Sequence, residues 1–377
     1  MKKLAIIGAS YLQEPLIQKA KDMGIETHVF AWETGDIGEK IADYFYPISI
    51  VEKEEILGVC QEIGIDGICT IASDLAVITV NYVANALGLV GNTNRSTELS
   101  TNKNCMRKAF ESNNDPSPKS VLVRDEEDLR EVALEYPIIV KPLDRSGSRG
   151  ITKLETPTNI QDAINHAIEE SFLDCALVEE FATGREYSVE YISWEGKHHF
   201  LALTEKATTG SPCFIETGHI EPVQVCEELS GRIKQVVEHA LDSLEIKYGA
   251  SHSEIKISSD NEIKIIEIGG RMGGDFIGSR LVEESTGIDF VEAVIKVAMG
   301  HEPDLAPKKK GKAVGIKYIL SQDDIYLYNK IKQSCPQLII QSDVPSKAEG
   351  NIKDSSTRLG YFIVSSEDVE DIRKYII

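Results

Sequence analysis

At roughly 150 residues per domain, the 377 residues predict two or three domains with well-formed cores, which excludes a small disulfide-stapled scaffold. Against 40 Lys and Arg stand 61 Asp and Glu, a net charge of -21 that argues against a basic nucleic-acid face or an anionic-membrane patch and requires any anionic ligand to meet cations gathered locally. With 42% hydrophobic and 27% charged residues, usage is that of an ordinary globular chain, neither disordered nor fibrous.

The first stretch alternates: strand 3–7, helix 16–23, strand 26–30, helix 52–63, strand 67–71, then a helix to Leu87. Such alternation predicts a parallel sheet with helical crossovers. The turn after the first strand holds only Gly8 where a dinucleotide fingerprint needs several glycines, so it reads as a plain connection. The apolar run 4–8 is too short for a signal peptide, and 75–91, interrupted by Asn81, Tyr82 and Asn85, predicts a packed helix rather than a membrane span. Seven cysteines without a CxxC pair suggest no disulfide framework and a reducing, cytoplasmic setting.

A boundary is placed near Ser96. Helix 103–111 ends at the Pro-punctuated 113–118, and strands 137–142 and 150–154 form a hairpin carrying a polar glycine loop. Helix 159–170, strands 176–181 and 187–193, helix 229–244, a strand pair over 254–268 and helix 290–299 follow without strict alternation, which predicts an α+β module. A basic linker at 307–312 leads to short strands 314–319 and 361–364 and a final amphipathic helix.

Three features carry chemistry. Lys141 ends a strand just before the donor-rich loop Asp144-Arg-Ser146-Gly147-Ser148-Arg-Gly150, which can fold over a polyphosphate although it is no Walker A loop. If Asp260-Asn261 makes a two-residue turn, Glu254 stands opposite Glu267, with Cβ atoms roughly 5 Å apart. Like charges at that range destabilise a sheet unless a divalent cation lies between them, and Mg2+ suits two carboxylates completed by water and phosphate oxygens. Directly after them, Gly269-Gly-Arg271-Met-Gly-Gly274 brings a bidentate guanidinium close to whatever the metal holds.

In this order the motifs resemble the ATP-grasp superfamily of carboxylate-amine ligases, most closely its L-amino-acid ligase group. The resemblance implies α/β plus α+β architecture: a Rossmann-like domain over 1–95, a two-lobed ATP-grasp domain over 96–305 (lobes about 115–180 and 181–305) and a small C-terminal subdomain over 306–377. It implies ATP contacts from Lys103, Lys141, the lid Ser146, Gly147, Ser148 and Gly150, the hinge Glu179, Glu180, Phe181 and Ala182, Glu186 at the ribose, Lys206 and Ile265. Glu254 and Glu267 would hold Mg2+ or Mn2+. Arg271, Lys141 and His252 would act in catalysis, His252 as a base or as an orienting group on the Glu254 face. Arg271 and the loop-borne Glu216 and His219 would meet substrate. Where many relatives carry Asn two residues after the second metal carboxylate, this chain has Gly269, leaving that place to water or a phosphate oxygen.

The implied reaction activates a small carboxylate, an amino acid, as an acyl phosphate and joins it to an amine, releasing ADP and phosphate. Its partners are small molecules, with no nucleic acid or membrane, and a homodimer is common among similar enzymes. Purine-biosynthesis and biotin-carboxylase-like enzymes share the ATP clamp and differ in the acceptor pocket. A non-catalytic ATP-binding regulator is the alternative of another class.

Overall fold

The computed structural model describes residues 1–130, 132–144, 150–211 and 214–377. Its first unit is a sheet of β1 (Lys3–Ile7), β2 (Glu26–Phe30), β3 (Tyr44–Tyr46) and β4 (Gly67–Cys69), ordered β3-β2-β1-β4 with every pair parallel. Covered on both faces, β1 buries Leu4 through Ile7 as a continuous apolar run rather than an alternating one. The helices are α1 (Glu14–Asp22), α2 (Ile37–Ile41), α3 (Lys53–Ile63) and α4 (Asp74–Leu87), the last N-capped by Ser73. No described helix is long and apolar enough to cross a membrane.

The position expected as a boundary, Ser96, lies inside a helix: α5 (Asn94–Thr101) and α6 (Lys103–Asn113) meet at Asn102, whose side chain caps α6 and fixes the orientation of Lys103. A second sheet follows, β5 (Ser120–Val123), β6 (Ile138–Pro142), β7 (Thr152–Leu154) and β8 (Ala176–Glu180), in the order β5-β8-β6-β7. The helix α7 (Ile160–Glu169) covers the face bearing Ile138, Val140, Ala176 and Val178. Strand alternation sends Lys141 and Glu179 to the other face.

The third sheet has eight strands, β13-β12-β9-β10-β11-β14-β16-β15, all antiparallel: β9 (Arg185–Trp194), β10 (Lys197–Thr208), β11 (Glu216–Glu221), β12 (Gly249–Ile257), β13 (Ile263–Gly269), β14 (Ala313–Ile319), β15 (Ile339–Asp343) and β16 (Gly360–Ser366). The segment after residue 306 therefore hydrogen-bonds into the same sheet as the second lobe, β14 pairing with β11. The region expected as a loop around Glu216 and His219 is likewise strand, with Lys206 opposite His219. Sequence periodicity misses this pairing because β10 and β11 are rich in polar residues on the face that meets the site. The helix α8 (Glu227–Ser243) packs on the opposite face, against Tyr187, Val189, Ile255, Ile257 and Ile265. The remaining helices, α9 (Val282–Thr286), α10 (Phe290–Ala298), α11 (Gln322–Ser334) and α12 (Val369–Ile376), close the ends. Of these, α10 packs beside α1 in a core shared by the first unit and the large sheet.

Candidate active site

Because side chains two apart share a face, β9 presents Glu186, Ser188 and Glu190, and β12 presents His252, Glu254 and Lys256, to the side away from α8. The pairing aligns them in rows across the strands. One row runs Lys256, Glu186, Lys206, His219; the next Glu267, Glu254, Ser188, Thr204; a third Gly269, His252, Glu190. Neighbours in such rows lie about 5 Å apart, so the sheet concentrates these charges in one place.

The β12/β13 hairpin reaches the expected pairing by another route. Ser258 N–H donates to the Glu262 carbonyl at 2.9 Å, and Asn261 takes a left-handed φ of 61°, so the loop is one residue longer than a two-residue turn. The register shifts again between Glu254 and Ile255, where a bulge restores Glu254 opposite Glu267. The bulge also overturns one expectation. Ile265 is fully buried in the α8 core, and Ile266 lines the cavity in its place.

Above the rows lies a cavity of about 300 Å³, closed on its far side by the second sheet and by Ala72 and Asp74 of the first unit. It brings together Lys103, Lys141, Glu179, Glu180, Phe181, Ala182, Glu186, Lys206, Glu216, His219, His252, Glu254, Glu267 and Arg271, all singled out in the sequence. Ser146, Gly147 and Ser148 lie outside the described residues. Gly150 has φ of 66°, and a Cβ there would meet Pro142 Cγ at 2.8 Å, so the end of that loop requires glycine.

Four cations at the site, Lys103, Lys141, Lys206 and Arg271, are each tied to a carboxylate. Lys206 Nζ lies 2.5 Å from Glu254, 3.1 Å from Glu186 and 3.7 Å from Glu216. Burial lowers its pKa, but the three carboxylates outweigh burial and hold it well above the usual lysine value. Burial likewise opposes the Glu254 carboxylate, yet Lys206 and His252 hold it well below its ordinary range. Lys103 Nζ donates to Glu267 at 2.8 Å. Lys141 Nζ donates to Glu179 at 2.5 Å, and burial, reinforced by Arg107 against the pull of Glu179, lowers its pKa.

Three expectations change in character here. The Glu179 carboxylate is held between Lys141 and Arg107, whose Nε stands 3.1 Å away, so it braces the lysine rather than facing a base. The N–H groups of Glu180 and Phe181 already donate to the Lys119 and Pro137 carbonyls, so these two hinge donors are used by the protein itself. His252 Nδ1 hydrogen-bonds Glu190; burial lowers the ring's pKa, but Glu190 raises it to about 9, so at neutral pH the ring is protonated and acts as a donor, which removes the base role and leaves the orienting one.

Four functional side chains escaped the sequence reading. Arg107 follows Lys103 by one helical turn, a spacing that places both on the same face of α6 and was the available signal. Glu190 continues the alternation Glu186-x-Ser188-x-Glu190 and also accepts from Gly273 N–H at 3.0 Å. Asp74 forks onto Arg271 from 197 residues away, and Arg358 forks onto Asp275 at the cavity edge, neither with any local signal.

Behind the rows, burial pushes the Glu221 carboxyl up to about 8, although hydrogen bonds from Thr204 and Ser285 oppose it. Glu190 adds to the upward shift and His252 subtracts from it. The folded state thus keeps a proton that the unfolded chain sheds near the ordinary 4.5, so stability falls as pH rises from about 4.5 to about 8. At roughly 1.4 kcal/mol per pKa unit the loss is a few kcal/mol. Glu221→Gln is expected to flatten that decline and to raise the melting temperature at pH 8, as measured by calorimetry across pH; a parallel decline in both proteins would contradict it.

Residues 134–279 match the ATP-grasp domain family. The chain is 27% identical over 309 residues to alanine–anticapsin ligase of Bacillus subtilis (strain 168), covering 72% of this chain and 64% of that protein. It is 21% identical over 355 residues to human carnosine synthase 1, covering 85% and 43%. The chain thus spans about two thirds or less of these relatives' own length. Among solved structures, L-amino acid ligase from Bacillus licheniformis superposes with TM-score 0.84 at 23% identity, covering 100% of this chain and 96% of that one. Phosphoribosylglycinamide synthetase from Anaerococcus prevotii does so with 0.78 at 22%, covering 99% and 96%. Residues 134–279 thus form an ATP-grasp domain, and the chain over its whole length has the fold of these two solved structures.

Proposed function

We propose that the chain is an ATP- and Mg2+-dependent ligase that activates a small carboxylate, an amino acid, as an acyl phosphate and joins it to an amine, releasing ADP and phosphate. The observation that carries this reading is the pairing of Glu254 with Glu267 inside a cavity that Lys103, Lys141, Lys206 and Arg271 also line. The named activities of the similar proteins, an alanine–anticapsin ligase and an L-amino acid ligase, support it.

The donor set fits a metal brought in with its nucleotide. Eight acidic and five basic described side chains line the cavity, so a polyphosphate entering alone would meet net negative charge. Lysine ammonium groups lie against both paired carboxylates. Mg2+ takes one or two protein carboxylates and completes its shell from water and phosphate, which the facing pair Glu254 and Glu267 suits. Glu254 and Glu267 would hold it, and it would neutralise the phosphate charge when bound.

The chain's own residues do the rest. Lys141, braced by Glu179, and Lys103 approach the phosphates as fixed cations, and Glu186 faces the ribose. A substrate carboxylate attacks the γ-phosphate, a step that asks chiefly for positioning and charge stabilisation, so no protein nucleophile is required. Arg271 offers its guanidinium to the anion that develops. The amine then attacks the acyl carbon near Glu216 and His219, and phosphate leaves. His252, already protonated, orients Glu254. On this reading residues 1–95 wall the cavity, 96–305 bind the nucleotide and 306–377 buttress the acceptor end.

Pairs of amino acids and amines screened with MgATP are expected to release ADP and phosphate only when both partners are present. Release stimulated solely by bicarbonate or a purine precursor would contradict the ligase assignment while leaving the clamp in place.

A further inference from the structure

The loop that carries Arg271 is held by the first unit rather than by its own lobe. Asp74, at the first position of α4, accepts from Arg271 Nε at 2.8 Å and from Nη2 at 2.8 Å. One residue before the cap of α4, Ala72 N–H donates to the Met272 carbonyl at 3.2 Å, a second tie to the same loop. The fork uses Nε and one Nη2 proton, and the Met272 carbonyl accepts from Nη1 at 3.3 Å. The remaining Nη protons are those left for an anion in the cavity.

Gly269 completes the arrangement. A Cβ built on it would stand 2.7 Å from Asp74 Oδ1 and 3.3 Å from Arg271 Cζ. A side chain at 269 would therefore force the Asp74 carboxylate to shift from its place beside Arg271. The space that Gly269 leaves open is filled from another unit. Burial raises the pKa of Asp74, but Arg271 together with Lys103 and His252 outweighs burial and holds it below the ordinary carboxylate value, so it stays ionised beside the guanidinium.

We propose that Asp74, reaching across from the first unit into the space left by Gly269, is the positioning residue that aims Arg271 at the transferred phosphoryl group. The inference rests on the ligase reading above. A bidentate fork removes the guanidinium's rotational freedom, and a misplacement of about 1 Å at a reacting group costs on the order of 100-fold. It also makes the packing of α4 against the loop a condition for catalysis, so the first unit takes part in the chemistry that the lobes perform.

The test measures inorganic phosphate binding to the full-length protein loaded with MgADP, by calorimetry, for the parent, Asp74→Asn, Gly269→Ala and the double variant. Asp74→Asn keeps the size of the side chain and removes the charge. Its phosphate affinity is expected to fall about tenfold, the equivalent of one charge-assisted hydrogen bond, with MgADP affinity unchanged. Its kcat is expected to fall about 100-fold with the KM for nucleotide unchanged, a split that general loosening of the fold would not give. Gly269→Ala should reproduce these losses by evicting Asp74, and the double variant should be no worse than either single one. Parental phosphate affinity in Asp74→Asn would overturn the proposal. Tighter binding would overturn it too, because Asp74 would then be a competitor for Arg271. A parent that fails to bind MgADP would overturn the ligase reading together with it, whereas nucleotide binding with additive losses in the double variant would sink this inference alone.

Discussion

Glu267→Gln is expected to fold normally and to lose ADP release by about 1000-fold. Glutamine keeps the volume and the backbone pairing opposite Glu254, so the hairpin and its bulge remain. What disappears is one of two facing negative charges. On the proposed reading those charges make the cavity too acidic for a bare polyphosphate and would give a divalent cation its protein ligands. Lys103 also loses the carboxylate that holds it at 2.8 Å and that, against burial, raises its pKa. Both changes reduce stabilisation at the transferred phosphoryl group. Steady-state kinetics at several Mg2+ concentrations read the effect: the loss should be eased by excess metal, and turnover equal to the parent's at every concentration would remove the metal assignment.

Glu179→Gln is expected to have the largest effect on stability, about 3–5 kcal/mol by denaturant unfolding. Its carboxylate is 5% exposed, and Arg107 and Lys141 are 3% and 7% exposed. Removing one charge leaves two buried cations facing each other, and a broken buried pair costs more than an intact one contributes. Lys141 already has a lowered pKa, so in the variant it sheds its proton more readily and the destabilisation should shrink as pH rises. The parent and variant curves should therefore converge towards alkaline pH. A difference below about 0.5 kcal/mol, the size of an ordinary surface substitution, would show that the triad does not bear on stability.

Local pattern made much of the fold legible. The strands at Lys3–Ile7 and Glu26–Phe30 stand where the apolar runs placed them, because strands buried on both faces carry their signal in composition. The hairpin around Lys141 and the helix at Ile160–Glu169 were equally clear. What escaped was long-range. Which strand lies beside β9 is decided by β12, some sixty residues on, and nothing near either strand specifies it. The polar β11 showed no apolar alternation, since its cavity face bears charge chemistry in place of core packing. The pairing of Glu254 with Glu267 was read correctly through two offsetting irregularities, a longer turn and a bulge, and the bulge is why Ile266 rather than Ile265 meets the cavity. The cavity's acidic and basic residue types were visible because so few chemistries place lysines beside facing carboxylates. Their partners Asp74 and Arg358 were not, since ion pairs between units are fixed by tertiary approach and leave no spacing rule in the chain, while Arg107 left only its one-turn spacing from Lys103.

The most direct test of the acyl-phosphate route uses the carboxylate substrate found by screening, labelled with 18O in both oxygens and turned over with MgATP and the amine. The route predicts that each phosphate released carries one 18O atom and that the amide keeps the other, because the attacking carboxylate oxygen leaves with the γ-phosphoryl group. Phosphate free of label, with the second 18O found in AMP or both atoms retained in unreacted acid, would contradict it.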